Sequence, residues 1–296
     1  MANILNVIRL VSMTLYPVKS LDGVDVTEAT ILRSGALAHD REYSMWDADG
    51  RIVNGKREAR IHRLRSSYDS TRGILSLGAE DGTPPEGFHL PDEVRNLEAW
   101  LSRHLGYRVL VRRDTRTGFP DDPSACGPTI ISTASLAAVA SWFPGLDRSE
   151  TRRRFRANIE IGAIDDATSD AADAAPFWED RLAADDGRPV RLQIGQVLLE
   201  GLHLCPRCAV PSRDPQTGVE IDRFQRTFSE RRRATLPPWA PATRFDHFYY
   251  LSVSTRVPAS ETGKTLRVGD DVRLLDDDSH RPKRSYAGED VRGEPS

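Results

Sequence analysis

Cysteine is scarce in this sequence. The chain of 296 residues contains three, and two of them, Cys205 and Cys208, belong to one Cys-Pro-Arg-Cys stretch. So few cysteines exclude a disulfide framework and fit a reducing compartment, so we expect a cytoplasmic protein. Long apolar runs are also missing, since no stretch approaches the roughly 20 residues of a membrane helix and the first residues lack a signal-peptide pattern. We therefore predict no membrane partner.

Charge of one sign is not concentrated anywhere in the chain. The formal net charge is -3, and the absence of a long basic or acidic block argues against a nucleic-acid partner. The arginine run at residues 231–233 is short, and we expect it on a solvated surface. Hydrophobic residues make up 39% of the chain, which suffices for a core, and the length fits two ordinary domains or one large one.

The signatures of common electron carriers are missing as well. No GxGxxG follows a predicted strand, no CxxCH occurs, and no second cysteine pair is present for an iron-sulfur cluster. If this chain carries out redox chemistry, we therefore expect its electrons to come from a separate protein.

Short strand-like segments alternate with turn signals along most of the chain. Strands at this spacing predict a barrel or a curled antiparallel sheet. The predicted strands span residues 7–15, 24–26, 29–32, 43–46, 51–53, 65–69, 73–77, 107–111, 196–204, 248–253 and 265–272, and another ends the charged segment 152–161.

Helices are fewer than strands. Apolar residues recur at helical spacing through residues 91–105, and Gly106 ends that helix. A second helix starts with Ser132 or Thr133 as its cap and stops before Pro144. The other segments are predicted as loops at 78–91 and 114–128, an acidic surface excursion with a short helix near Trp178 at 165–189, loop and a short helix at 219–247, and a disordered polar tail at 276–296.

The segment 205–218 carries the most specific pattern. Three prolines and Gly218 forbid a regular element there, and such irregular backbone presents side chains from a rigid scaffold. Structural zinc requires two more Cys or His ligands, and a thioredoxin-like dithiol requires a helix after the pair. Two buried apolar cysteines, and one thiolate offered to a metal whose other ligands a cofactor provides, are two further interpretations, and all four stay open.

Basic and hydroxyl side chains also stand next to turns. Each alone favours a surface salt bridge or a helix cap. Together they predict a phosphate pocket, because guanidinium groups bind phosphate oxygens in pairs and the N–H groups of a helix start add fixed dipoles. The residues concerned are Lys19 with Ser20, Asp40 with Arg41, Arg156 with Asn158, and the helix start with Ser132, Thr133 and Ser135.

Two adjoining motifs resemble the signature of the MOSC family, which is named for the C-terminal domain of molybdenum cofactor sulfurase. The motifs are Cys205-Pro206-Arg207-Cys208 and Asp214-Pro215-Gln216-Thr217-Gly218. Within the family the likeness is to the amidoxime-reducing proteins. The stretches 15–20, 130–136, 155–159 and 266–270 fit as well, so the resemblance covers residues 15–275. Thr133 stands where relatives often carry aspartate, and Ala157 replaces a proline.

The resemblance implies a fold. It is a β-rich α+β protein, with a MOSC N-terminal β-barrel-like domain at residues 1–115 and a MOSC β-barrel domain of the pyruvate-kinase-barrel type at residues 116–275. The cofactor is expected in the cleft between them.

The resemblance also implies a site. Cys208 is expected to ligate molybdenum and to be catalytic together with Asp214. The residues expected to hold the phosphate and pterin of the molybdenum cofactor are Lys19, Ser20, Arg41, Ser132, Thr133, Ser135, Arg156 and Asn158.

The implied activity is a two-electron reduction of N-hydroxylated or related N-oxygenated small molecules. The electron donor is expected to be a separate ferredoxin, flavin or cytochrome protein. Two alternatives stay open: a sulfur carrier with a persulfide on Cys208, and a non-catalytic module that binds or carries the cofactor.

Overall fold

The computed structural model describes residues 8–80, 83–163, 175–184 and 187–275. Its α-helices are α1 Val94–Leu105, α2 Thr133–Ser141, α3 Arg148–Phe155 and α4 Phe224–Ala234. Its strands are β1 Ile8–Leu15, β2 Val24–Val26, β3 Glu28–Thr30, β4 Tyr43–Asp47, β5 Ile52–Val53, β6 Leu64–Asp69, β7 Ile74–Ala79, β8 Glu86–His89, β9 Val109–Arg113, β10 Ile130–Ser132, β11 Ile159–Ala163, β12 Val190–Ile194, β13 Val197–Pro206, β14 Tyr250–Arg256, β15 Thr265–Arg267 and β16 Val272–Leu274. The predicted β-rich α+β class is confirmed, while the predicted tail at 276–296 lies outside the described residues.

The largest sheet has eight strands in the order β16-β12-β13-β14-β10-β11-β1-β2. Its neighbours are antiparallel except β10 and β11, which run parallel. A bridge between Arg9 and Asp271 brings β1 beside the far edge of the sheet, so the sheet curls around one apolar face. Ile159, Leu199 and Val253 lie on that face without exposed surface.

Two smaller sheets, β5-β4-β9 and β6-β7-β8, enclose a second core together with α1. The helix buries Leu97, Leu101 and Leu105 there. Gly106 ends it in the left-handed conformation with φ 75°, as its lack of a Cβ predicts. None of the helices in the described ranges has the length and apolar character needed to cross a membrane.

β1 and β2 belong to the larger sheet, while β3 forms a separate two-stranded sheet with β15. β1 pairs with β11, and β3 pairs with β15, so residues 8–30 are held by strands from the second half of the chain. Residues 43–113 supply the strands and helix of the second core. A domain boundary near residue 115 stays a prediction.

Four elements lie where the sequence analysis predicts none of their kind: β8, α3, β10 and β12. β8 occupies part of the predicted loop 78–91, pairs with β7 as an edge strand and buries Phe88. α3 replaces the predicted charged approach to β11. Its cap is Asp147, which accepts the Glu150 N–H at 2.6 Å. This Asp-x-x-Glu spacing is a capping signal, but the high charge of the helix hides its short buried face.

In the second half of the chain, the strands differ from the prediction in two places. β12 is an additional strand inside the sheet, between β16 and β13. The single strand predicted at 265–272 is two strands, β15 and β16, separated at Gly269, which has φ 97°.

Residues 187 and 188 are exposed, as predicted for the acidic excursion. The short helix predicted near Trp178 is a 3₁₀ helix at Trp178–Leu182, but it is buried, so its predicted surface position is wrong. Its Asp180 forms an ion pair with Arg232, whose guanidinium lies 3.8 Å from the centroid of the Phe177 ring. Arg232 has no exposed surface, so the expectation of a solvated run at 231–233 is wrong for this residue. Its buried charge is tolerated because it has a carboxylate partner.

Candidate functional site

Cys208 lies in the loop that follows strand β13. Its neighbour Arg207 donates its backbone N–H to Tyr249 O at 2.9 Å. Cys205 is still inside the strand and buried, with its Sγ 3.1 Å from Ser254 Oγ. Cys208 is half-buried, and its Sγ has no hydrogen bond to any described residue. Cys205 is therefore packed into the sheet, whereas the Cys208 thiol is available to a ligand.

The other interpretations of the cysteine pair gain no support. Among the residues that the structure describes, no group of three or more His, Cys, Asp or Glu side chains could hold a metal ion such as zinc. A 3₁₀ helix of three residues, Val210–Ser212, follows the pair in place of the α-helix that a dithiol motif requires. Because Cys208 is partly exposed, Cys205 and Cys208 are not a pair of buried structural cysteines.

Asp214 organises the turn after this loop. Its Oδ1 accepts the N–H groups of Gln216 at 2.9 Å and Thr217 at 2.7 Å. Partial burial raises the pKa of Asp214, but these hydrogen bonds outweigh it and hold the pKa below its usual value. The contacts assign Asp214 a structural role, and its catalytic role stays a prediction.

Residues 207–218, which follow strand β13, are called the cysteine loop below. Arg154 holds this loop to helix α3, and sequence reasoning did not single it out. The residue is 3% exposed. It donates to Pro211 O at 3.2 Å and twice to Glu150 Oε1, at 2.9 and 2.6 Å, while Asp214 Oδ2 lies 3.7 Å away. The planar fork of a guanidinium can hold several acceptors at once. The arginine run 152–154 was the signal in the sequence, but it does not distinguish this arginine from its neighbours.

Arg207 ties the same loop to strand β14. Its Nε donates to Leu251 O at 2.9 Å, and its Nη2 donates to Ser252 Oγ. Arg154 and Arg207 thus anchor the chain on both sides of Cys208, which fixes the position of the thiol.

Tyr249 carries an unsatisfied polar group close to Cys208. The residue is 1% exposed, and its hydroxyl has no partner in the described part of the chain. Burial raises the pKa of Tyr249, with Arg207 opposing this and the charge of a Cys208 thiolate adding to it. The hydroxyl therefore keeps its proton and is a hydrogen-bond donor. Tyr249 lines, with Ala209 and Ser212 among others, an open depression of about 580 Å³.

Tyr16 brings two of the predicted phosphate-binding residues together. The guanidinium carbons of Arg156 and Arg41 lie 4.1 and 5.1 Å from the centroid of its ring. Arg41 forms an ion pair with Asp40 and donates to Asn158 Oδ1 at 3.3 Å. Asn158 is 3% exposed. Arg41, Arg156 and Asn158 therefore form one group.

Arg156 is the cation of this group without a carboxylate partner. It ends α3 in the left-handed conformation, with φ 53°. Its Nη2 donates to Leu21 O at 2.7 Å, and no described carboxylate forms an ion pair with it. Burial lowers the pKa of Arg156, and the positive charge of Arg41 acts in the same direction. A partly buried cation with this neighbour favours an anionic ligand.

Lys19 lies at the same place and is fully hydrogen-bonded. Its Nζ donates to Phe119 O at 2.9 Å and to Pro120 O at 3.2 Å. Its third contact is an ion pair with Asp121 Oδ1 at 2.7 Å. Residues 119–121, in the linker between the regions of the two cores, therefore cover this lysine.

Three positive charges converge on the Asp121 carboxylate. The Asp121 side chain is largely exposed. Desolvation by neighbouring protein atoms raises the pKa of Asp121, while Lys19, Arg41 and Arg156 together hold it below its usual value. We call these three cations the basic cluster. Ser20 follows with φ 76°, and its hydroxyl has no hydrogen bond within the described ranges, so it is free to bind a ligand.

The three hydroxyl residues at the start of α2 lie elsewhere. Ser132 Oγ accepts the Ser135 N–H at 3.1 Å, which confirms the predicted cap. Ser135 Oγ donates to Glu179 Oε2 at 2.8 Å, and Thr133 Oγ1 donates to Glu160 Oε1 at 2.7 Å. These contacts lie beyond the C-terminal end of β10, whereas the basic cluster lies at the start of its parallel neighbour β11. Cofactor contact by these hydroxyls stays a prediction.

Arg65 connects the cysteine loop with the basic cluster. Its Nη2 donates to Pro215 O at 2.8 Å, and its Nη1 forms an ion pair with Asp22 Oδ1 at 3.3 Å. Asp22 follows Leu21, whose carbonyl accepts the hydrogen bond from Arg156. A continuous series of contacts therefore runs from Pro215 in the cysteine loop, through Arg65, to Arg156.

The pKa of His62 is affected by charges in both the cysteine loop and the basic cluster. Burial lowers the pKa of this imidazole, and the positive charges of Arg213, Arg156 and Arg65 act in the same direction. Arg213 belongs to the cysteine loop and Arg156 to the basic cluster, so the two regions are near enough to act on one side chain.

Two family models match this chain. Residues 7–107 match the MOSC N-terminal beta barrel domain, and residues 127–273 match the MOSC domain. The protein belongs to the MOSC family. Its MOSC N-terminal match contains Lys19, Arg41 and Arg65, and its MOSC match contains Arg156 and Cys208, so the site draws on both.

Similar MOSC proteins are known from mammals. Mitochondrial amidoxime-reducing component 1 of Homo sapiens is 26% identical over an alignment of 303 positions, and the alignment covers 88% of this chain and 81% of the human one. Mitochondrial amidoxime reducing component 2 of Macaca fascicularis is 26% identical over an alignment of 254 positions, which covers 71% of this chain and 67% of its own. Component 2 of Bos taurus is 26% identical over an alignment of 253 positions.

The residues of this MOSC site fit the cofactor that the resemblance implies. Cys208 offers one soft sulfur donor without a competing partner. The Tyr249 hydroxyl and the Ser20 hydroxyl lack partners among the described residues, and Arg156 lacks a counter-ion there. A buried polar group such as the Tyr249 hydroxyl is normally hydrogen-bonded, whereas Ser20 and Arg156 are partly exposed and accessible to a ligand. A ligand with a metal, a polar ring system and a phosphate satisfies all of these groups.

Proposed function

We propose that this protein is a molybdenum-cofactor-dependent reductase of N-hydroxylated or related N-oxygenated compounds. The observation that carries the proposal is that an unpartnered thiol, Cys208, and the basic cluster are joined through Arg65. A metal ligand and a phosphate site at this relative position suit the two ends of one cofactor. The similar proteins are named amidoxime-reducing components, and these names support the reaction class.

The chain contributes ligands and placement. Cys208 provides the thiolate for the metal, and the basic cluster neutralises the phosphate. Arg154 and Arg207 hold the loop so that the thiol keeps one position. When bound, the cofactor supplies the two-electron oxygen-transfer chemistry, while the protein supplies orientation and electrostatics. Tyr249 donates a hydrogen bond from its buried hydroxyl to the ligand beside the thiolate.

Substrate and electrons come from outside. The open depression that Ala209, Ser212 and Tyr249 help to line is the route by which we expect a small substrate to approach. A separate ferredoxin, flavin or cytochrome protein supplies the electrons, because the sequence has no signature of a relay of its own.

The test begins with protein made in a host that synthesises the molybdenum cofactor. We expect molybdenum and pterin in the purified protein, and turnover of an amidoxime or a hydroxylamine with reduced viologen as the electron source. Cys208→Ser should abolish turnover, because an alcohol is a poor replacement for a thiolate. Cys205→Ser is the matched control and should keep much of the activity, since Cys205 contacts Ser254 inside the sheet.

The possible failures separate the alternatives. A clean preparation with neither molybdenum nor pterin would sink the proposal. Labile sulfur on Cys208 without molybdenum would instead support a persulfide carrier. Full cofactor content without turnover of any N-hydroxylated compound would support a non-catalytic module.

A further inference from the structure

Lys19 has no hydrogen-bond donor left for a ligand. An ammonium group has three N–H donors, and the Nζ of Lys19 has three partners: Phe119 O at 2.9 Å, Pro120 O at 3.2 Å and Asp121 Oδ1 at 2.7 Å. A phosphate can bind this lysine directly only after one of them leaves. This constraint follows from the contacts of the chain itself.

Asp121 is the partner that can leave. The other two are backbone carbonyls of the linker, whereas the Asp121 side chain is 85% exposed and the Lys19 side chain is 10% exposed. Rotation of the Asp121 side chain moves its carboxylate into water without moving the backbone. By contrast, the ion pair of Arg41 with Asp40 is held between side chains that are 15% and 12% exposed.

We infer that Asp121 is a displaceable counter-ion of the basic cluster: its carboxylate takes the place of an anion in the free protein and moves into solvent when a phosphate group binds. This inference rests on the proposed function in that the expected phosphate is that of the cofactor. The site itself accepts a phosphate group from any source, so inorganic phosphate serves as a probe.

The charge balance supports this assignment. Lys19, Arg41 and Arg156 carry three positive charges, and Asp40 and Asp121 carry two negative ones. With Asp121 displaced, the site has two positive charges in excess, which match a phosphate dianion. A monoanion such as chloride only replaces one negative charge with another. Displacement of Asp121 is therefore more favourable for a dianion such as phosphate than for a monoanion such as chloride.

The experiment measures inorganic phosphate binding to the full chain by calorimetry at low salt, with protein from a host that does not make the cofactor. Asp121→Asn should tighten phosphate binding by roughly two- to fivefold, the range expected for removal of one competing exposed ion pair. Asp49→Asn is the control, because it removes the same charge from an aspartate whose side chain is 71% exposed and whose ion-pair partner is Arg51. It should leave the phosphate affinity unchanged.

A Lys19→Met background separates displacement from a general charge effect. If Asp121 competes mainly for the Lys19 ammonium, Asp121→Asn should give a clearly smaller gain in phosphate affinity in this background, because only the charges of Arg41 and Arg156 then remain. An equal gain in both backgrounds, no gain in either, or no measurable phosphate binding to any variant would overturn the inference. These measurements need no molybdenum, so the absence of the metal would defeat the proposed function and leave this result intact.

Discussion

Replacement of Glu179 by glutamine tests the electrostatics beneath the start of helix α2. Glu179 has no exposed surface. Its Oε2 accepts a hydrogen bond from Ser135 Oγ at 2.8 Å, and its Oε1 has no partner in the described ranges. Burial raises the pKa of Glu179 to about 7, and the negative charge of Asp180 acts in the same direction. The carboxyl group therefore binds its proton more tightly in the folded protein than in the unfolded chain.

The sign of the pH effect follows from this difference. The ordinary pKa of this group is 4.5, so between that value and about 7 the folded state holds one more proton than the unfolded state, and the free energy of unfolding falls as pH rises. The stabilising effect of the proton is complete below the unfolded pKa and is lost above the folded one. Because one pH unit corresponds to about 1.4 kcal/mol, the whole interval is worth about 3 kcal/mol.

Urea unfolding of the wild type and Glu179→Gln at about pH 5 and about pH 8 measures this effect. Glutamine keeps an acceptor for Ser135 and cannot ionise. The two proteins should have similar stability at the lower pH, and the variant should be more stable by about 2 to 3 kcal/mol at the higher one. Glu230→Gln, at a position whose side chain is 64% exposed, is the control. Parallel stability profiles for the wild type and Glu179→Gln would refute the reasoning.

Three further predictions concern the site. Arg154→Ala should lower the free energy of unfolding by about 2 to 3 kcal/mol because it removes charge-assisted hydrogen bonds, whereas Arg153→Ala, at an exposed position, should change it by less than about 0.5 kcal/mol in the same urea assay. Arg156→Ala should weaken cofactor binding about tenfold or more, the loss expected for one charge-assisted hydrogen bond, so that cofactor occupancy of the purified protein falls, and Lys19→Ala should lower it less; full occupancy of the double variant would show that the phosphate lies elsewhere. NADH or NADPH alone should give no turnover with the loaded protein, whereas reduced viologen should, and turnover with pyridine nucleotide alone would contradict the need for a separate donor.

The sequence predicts the helix ends correctly where a single residue or its near neighbours determine them. Gly106 ends α1 because glycine takes a positive φ, and Ser132 caps α2 because its hydroxyl accepts a nearby N–H. The buried pair of Asp180 and Arg232 joins residues 52 positions apart, and no local pattern indicates such a contact. The sequence does not predict helix α3 for a related reason: its high charge hides a buried face, on which Phe155 packs against α2 and α4 and Arg154 contacts the cysteine loop.

The same distinction applies to the candidate site. The motif around Cys208 is contiguous, so a resemblance can locate it. The helix start at Ser132 was read as an anion site because exposed N–H groups attract anions, but Glu179, 44 positions beyond Ser135, reaches this end of the helix in the folded chain. Arg65 and Tyr249 are isolated in the sequence, and only the folded chain shows what they contact.

The C-terminal end of helix α3 links the two halves of the proposed cofactor site. Arg154, in its last turn, donates to Pro211 O and so holds the loop that carries Cys208. Arg156 ends the helix in the left-handed conformation, lies over Tyr16 and belongs to the basic cluster. Since one residue separates the two arginines on a rigid helix end, their spacing is fixed by backbone geometry and not by flexible loops. Helix α3 therefore helps to set the distance between the thiol and the phosphate site, together with the contacts that Arg207 makes to strand β14.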